Sequence, residues 1–141
     1  MPGGADAVAL VDTSVAVALS VADHSHHEST LQAIGDRALG LAGHAAFETY
    51  SVLTRLPPPA RRSPQTVARL LAVSFPHTRH LGAEASAVLA HELVSVGVAG
   101  GAVYDALVGA AAREHDLPLF TRDQRAAETY RALEVRFELL T

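Results

Sequence analysis

Ala7-Val8-Ala9-Leu10-Val11-Asp12-Thr13-Ser14 decides the fold: five apolar residues in a row, then an acid and two hydroxyl residues. So short an apolar run reads as a strand buried on both faces, and the acid and hydroxyls behind it read as a helix N-cap. A strand with two buried faces belongs to a parallel sheet covered by helices on either side. The residues that follow repeat the alternation. Val15 to Val21 reads as a short helix, and Asp23 to Glu28 as a polar turn into a second helix ending near Gly35. Ala38 to Ala42 makes another strand. His44 to Leu56 is helical, stopped by Pro57, Pro58 and Pro59, and Ser63-Pro64 restarts a helix with serine as cap and proline at its first position.

Further along, a strand is expected at Thr78 to Leu81, a helix at Ala83 to Val96, and a break at Gly97, Gly100 and Gly101. A helix over Ala102 to His115, a strand at Leu117 to Thr121, a helix over Asp123 to Leu133 and a last strand at Val135 to Leu140 complete the series. Strands alternating with helices need right-handed crossovers, so the expected fold is a three-layer α/β/α sandwich with a mostly parallel sheet. No repeat or linker divides residues 1–141, which are read as a single domain.

Composition narrows the chemistry. The chain has 141 residues, 49% hydrophobic and 18% charged, enough for a real core. An average domain carries about 25% charged residues, so the low value points to surface hidden against a second copy or a partner. Cysteine is absent, which excludes thiolate zinc sites and cysteine nucleophiles. All 11 basic residues are arginines, which excludes a Walker lysine, a Schiff-base lysine and the lysine of a phospho-accepting receiver. Met1 to Asp6 carry no basic residue, and the apolar stretch from Ala7 to Ala22 is broken by Asp12. Neither a targeting segment nor a membrane span is therefore expected, and a cytoplasmic location is.

Four acids fall where such a fold gathers ligands. Asp12 follows the first strand, Glu48 lies early in the helix after the second, Asp105 opens a later helix, and Asp123 follows the strand at Leu117 to Thr121. Strand carboxyl ends and helix amino ends share one edge of a parallel sheet, where ligands bind at the switch in strand order. Each acid also has a plain structural role: Asp12 and Asp123 as caps, Glu48 and Asp105 as first-turn acids facing the helix dipole. Taken together they would repel and raise one another's pKa, a cost that a divalent cation removes. A donor set of carboxylate oxygens favours magnesium, with manganese as the second choice.

Leu10-Val11-Asp12-Thr13-Ser14, Phe47-Glu48, Gly100-Gly101-Ala102-Val103-Tyr104-Asp105-Ala106-Leu107 and Phe120-Thr121-Arg122-Asp123, in that order and spacing, resemble the PIN-domain ribonucleases. The likeness is specifically to the VapC toxins of type II VapBC toxin-antitoxin pairs, and it runs nearly end to end. It implies that Asp12, Glu48, Asp105 and Asp123 are the catalytic, metal-holding acids, Asp123 acting through water. Ser14 matches a hydroxyl that orients the first acid or a bound water, with simple capping as the other reading. The implied activity is metal-assisted hydrolysis of RNA phosphodiesters, leaving 5′-phosphate and 3′-hydroxyl ends without a covalent enzyme intermediate. The implied partners are a homodimer mate, a cognate VapB-like antitoxin that lays a peptide across the cleft, and operator DNA bound only through that complex.

The residues beside the acids add a reading of their own. Between Glu48 and Glu84 the chain has no acid but carries Arg55, Arg61, Arg62, Arg69 and Arg79. A cationic lip of this kind would hold an RNA backbone that the acids alone repel, and Arg61 and Arg62 are the leading candidates. Salt bridges to a dimer mate would explain the same arginines. Tyr104 could stack on a base or pack in the core. Eight histidines do not make a zinc site here, because His24, His26 and His27 share a polar turn without tetrahedral spacing. Two other functions compete: a PIN-like module that binds RNA or a partner without cutting, and a small-molecule phosphoryl enzyme, which lacks its usual Asp-x-Asp pair.

Overall fold

The computed structural model describes residues 7–141. Met1 to Asp6, on which the expectation about targeting and the start of the domain fall, lie outside them. The element order is β1 (Val8–Val11), α1 (Thr13–Ser20), α2 (His27–Ile34), β2 (Ala38–Leu41), α3 (Ala45–Thr54) and α4 (Pro64–Ser74). There follow α5 (Ala83–Val96), α6 (Ala102–Glu114), β3 (Leu119–Thr121), α7 (Gln124–Ala132) and β4 (Phe137–Leu139). The strands form one sheet in the order β2-β1-β3-β4, every pair parallel.

Side chains of β1 alternate between two separate cores. Leu10 packs with Leu119, Leu89, Ala106 and Tyr130 on one face, while Ala9 and Val11 pack with Val15, Ile34, Phe75 and Phe120 on the other. That is the two-sided burial its unbroken apolar run demands, and it produces the three layers. Burial of each such aliphatic side chain is worth roughly 1.5–3 kcal/mol, so β1 anchors the domain. On one side, α6 approaches closely because its buried positions are small, Ala106, Gly109, Ala110, Ala111 and Ala112. At Gly109 a methyl group would stand 2.9 Å from the Tyr130 ring and 3.1 Å from Val135, so glycine is what lets Tyr130 reach inward.

The expected strand at Thr78 to Leu81 is reduced to one isolated parallel bridge between Ala42 and Arg79. The segment does run beside β2, with the His77 amide donating to Leu39 at 3.0 Å and the Arg79 amide to Leu41 at 3.1 Å. Between those two bonds the Leu41 amide donates to the hydroxyl of Thr78 rather than to a carbonyl, which interrupts the ladder. A Cβ on Gly40 would collide with the His77 carbonyl, so glycine is required at that crossing. Helix α3 stops two residues short of the expected Leu56, since a residue preceding proline is forced out of helical geometry. Ser63 caps α4 as expected, accepting from the Thr66 amide at 3.2 Å with Pro64 next in line.

Strand order reverses at β1: the chain leaves it toward β2 on one side and returns through β3 and β4 on the other. The carboxyl ends of β1 and β3 therefore diverge around a crevice. Both open directly into helices.

Candidate active site

Asp12 ends β1 and caps α1, and it is 4% exposed. Its Oδ1 accepts from the Ser14 hydroxyl at 2.5 Å and the Val15 amide at 3.3 Å, and its Oδ2 accepts from the Tyr130 hydroxyl at 3.0 Å. Burial holds its carboxyl above the usual range, and the hydrogen bonds from Ser14, Tyr130 and Val15 only partly counter it. Ser14 does more than cap. Its oxygen also accepts the Arg122 amide at 2.8 Å, so one hydroxyl ties the end of β1 to the end of β3.

Asp123 caps α7 from the other side of the crevice, its Oδ1 accepting the Arg125 and Ala126 amides at 2.9 and 3.2 Å. Thr121 fixes the turn before it by accepting the Asp123 amide at 3.0 Å. Glu48 sits in the first turn of α3, where its Oε1 accepts from Thr13 at 3.3 Å. Asp105 sits in the first turn of α6. Its carboxyl is pushed up to about 6, chiefly by burial, then by the charges of Asp123, Glu48 and Asp12, with Arg125 pulling the other way. Three acids from three different elements thus act on the fourth. All four line one cavity of about 100 Å³ together with Ser14 and Tyr130, room for about three waters.

Both readings of these acids hold at once: Asp12 and Asp123 cap helices and also face the cavity. Each spends part of its oxygen capacity on local donors, and among the described residues no three acids close to metal-binding distance. The donor set is nevertheless all carboxylate and hydroxyl oxygen, the chemistry of a site for a hard divalent cation. The three clustered histidines form no such group; the rings of His24 and His26 lie 5.8 Å apart in the turn before α2.

Of the arginines named from sequence, Arg61 is exposed and its Nε donates to the Leu56 carbonyl at 2.9 Å. Arg62 is half-buried: its Nη2 donates to the Ser20 carbonyl at the end of α1 at 2.9 Å, and its Nη1 is buried without a partner. Arg55 is the arginine of that segment that shares a cleft with Glu48. Sequence reading missed Tyr130. Its signal was present, because seven residues after the Asp123 cap is two helical turns, which puts Tyr130 on the face of α7 that looks back at the crevice. Burial, the charge of Asp12 and its bond to Asp12 all raise the Tyr130 hydroxyl, so it stays a donor.

A parallel α/β sandwich with acids from four elements gathered at its strand-order switch defines an acidic-site hydrolase domain of the nuclease type. The model of the PIN domain matches residues 9–132. The chain is 46% identical over 125 residues to ribonuclease VapC27 of Mycobacterium tuberculosis, covering 89% of this chain and 91% of that one. It is also 46% identical over 132 residues to ribonuclease VapC40 of the same species, covering 92% and 97%. The solved structure of VapBC2 from Rickettsia felis bound to a DNA fragment from their promoter shares the fold at a TM-score of 0.68 and 13% identity, over 95% of this chain and 99% of that one. The chain belongs to the PIN-domain family and, within it, to the VapC ribonucleases. Ribonucleases of this family are metal-dependent.

Proposed function

We propose that this chain, as one domain over residues 1–141, is the magnesium-dependent endoribonuclease of a VapBC-type toxin-antitoxin pair, with manganese as a substitute. The carrying observation is the single cavity onto which Asp12, Glu48, Asp105 and Asp123 open from four different elements. Asp12, Glu48 and Asp105 would hold the ion, and Asp123, exposed and committed to two amides through Oδ1, would reach it through water. When bound, such an ion lowers the pKa of water and offsets charge on phosphoryl oxygens. The chain's own part is positional. Ser14 and Tyr130 fix the two oxygens of Asp12, Thr13 steers Glu48, and Thr121 sets the turn that presents Asp123.

RNA is the substrate the family points to, and its backbone needs cations beside the acids. Arg55 stands nearest to Glu48, with Arg61 and Arg62 further along the same basic segment as contacts for more distant phosphates. The named structure of VapBC2 with promoter DNA supports a cognate VapB-like antitoxin for this chain and operator contact through that complex. A homodimer fits the low charged fraction. No helix among the described residues is long and apolar enough to cross a membrane, and we place the protein in the cytoplasm. The test is cleavage of total RNA, read as new ends. The wild type should cut with magnesium, and chelation or Asp12→Asn should abolish cutting. Undiminished cleavage in both would defeat the assignment.

A further inference from the structure

The rim of the acid cavity carries four rings whose purpose the hydrolysis of a phosphodiester does not explain. Phe47 is 65% exposed and Tyr104 52%, although both are large and apolar and each directly precedes a cavity acid, Glu48 or Asp105. Tyr104 lies against His44 with centroids 5.2 Å apart and planes 23° from parallel. Phe47 stands 6.4 Å from His44 and 6.0 Å from His80, tilted 41° to both. The tilt matters: the rings do not close into a mutual stack, so open faces remain. Single exposed apolar residues are ordinary, but a contiguous group beside a functional cavity marks a contact surface.

The surroundings say what kind of occupant fits. His44, Phe47, Glu48, Thr13 and Arg55 line a cleft of about 370 Å³ that shares Thr13 and Glu48 with the acid cavity. An occupant must offer flat faces to the rings, an anion to Arg55, and tolerance of neighbouring carboxylates once these hold a cation. A second copy of this chain would need an aliphatic, uncharged seat, whereas here histidine, arginine and glutamate interrupt the rings. Unpaired nucleotides satisfy all three demands, since splayed bases stack on Phe, Tyr and His while duplex RNA keeps its base faces covered.

We propose that Tyr104, His44 and Phe47, extended by His80, form a stacking platform that takes unpaired bases flanking the scissile phosphate, so that single-stranded or looped RNA is the substrate class. The proposal rests on the ribonuclease reading above, and two measurements separate their failures. In the first, a single-stranded RNA carrying 2-aminopurine is titrated with protein in magnesium, beside the same strand annealed to its complement. Stacking on the platform quenches the single strand, and Phe47→Ala and Tyr104→Ala lose the quench while Tyr104→Trp keeps it. In the second, cleavage kinetics place the loss in KM, a rise of about 5- to 150-fold per ring, with an abasic substrate erasing the difference between wild type and variants.

Quenching without cutting would support the platform and count against the ribonuclease. Equal quenching by wild type and alanine variants, or equal affinity for duplex and single strand, would overturn the platform alone. Light scattering guards against the remaining occupant: variants that run at half the wild-type mass would assign the rings to a subunit interface and also overturn the proposal.

Discussion

Asn in place of Asp105 should stabilise the metal-free protein while removing its activity. Asp105 is half-buried and is pushed from its ordinary 3.8 to about 6, first by burial and then by Asp123, Glu48 and Asp12. Each tenfold change in proton affinity corresponds to about 1.4 kcal/mol, which sets a ceiling near 3 kcal/mol on the cost of ionising it in the fold. Solvent screening at a half-exposed group cuts this to about 1–2 kcal/mol. Between pH 3.8 and about 6 the folded state binds more protons than the unfolded one, so stability falls as pH rises through that window. Above it the cost is complete, and below pH 4 it is absent. Thermal melts in chelator at pH 7.5 should therefore place Asp105→Asn above wild type by roughly 3–6 °C, with the gap closing toward pH 4. Magnesium should then raise the wild type more than the variant. A variant no more stable than wild type at pH 7.5, or a gap that ignores pH, would refute the claim that mutual repulsion is stored at this site.

Tyr130→Phe leaves Asp12 Oδ2 without its donor in a buried setting, at a cost of about 1–3 kcal/mol in denaturant titrations, and should move the acid limb of the cleavage profile to higher pH. Gly109→Ala drives a methyl group onto the Tyr130 ring from 2.9 Å and should destabilise by about 1–3 kcal/mol, with loss of cleavage though no acid is touched. Glu92 pairs with Arg113 at 2.7 and 2.9 Å, and the hydrogen bond to Arg113 holds its carboxyl below 4.5. Its contribution is present above that value and lost as pH falls through the lowered one, so Glu92→Gln should cost about 0.5–1 kcal/mol at pH 7 and nothing near pH 2 in urea melts.

Much of this was legible along the chain because the signals are local. The apolar run to Val11, the Ser63-Pro64 start and the Gly97 stop each depend on a few neighbouring residues, and all three stand where the pattern puts them. Thr78 to Leu81 misled for the opposite reason. Its strand character depended on whether the Leu41 amide would find a carbonyl or a hydroxyl, a choice made between segments 37 residues apart. The acids could be named because each follows a strand or opens a helix, positions that a parallel fold sends to one edge. What the chain alone did not reveal is the second tier. Tyr130 reaches Asp12 only because Gly109 on another helix leaves it room, and Arg62 turns toward the end of α1 through a bond that no spacing rule predicts.

That second tier bears on how four acids coexist before any cation arrives. The amino ends of α1, α3, α6 and α7 all open at the crevice, and each contributes roughly half a positive charge at its first turn. Asp12 and Asp123 take amide hydrogens directly as caps, and Glu48 takes a hydroxyl from the first turn of α1. Asp105 has no such donor, and it is the acid driven to about 6. Capping and metal binding are therefore successive uses of the same oxygens. The helix ends hold three acids ionised and pointing inward, and the uncompensated repulsion collects on the fourth. A cation entering the cavity would find its strongest electrostatic gain at Asp105, which is why that residue, rather than the more deeply buried Asp12, is the sharper probe of the site.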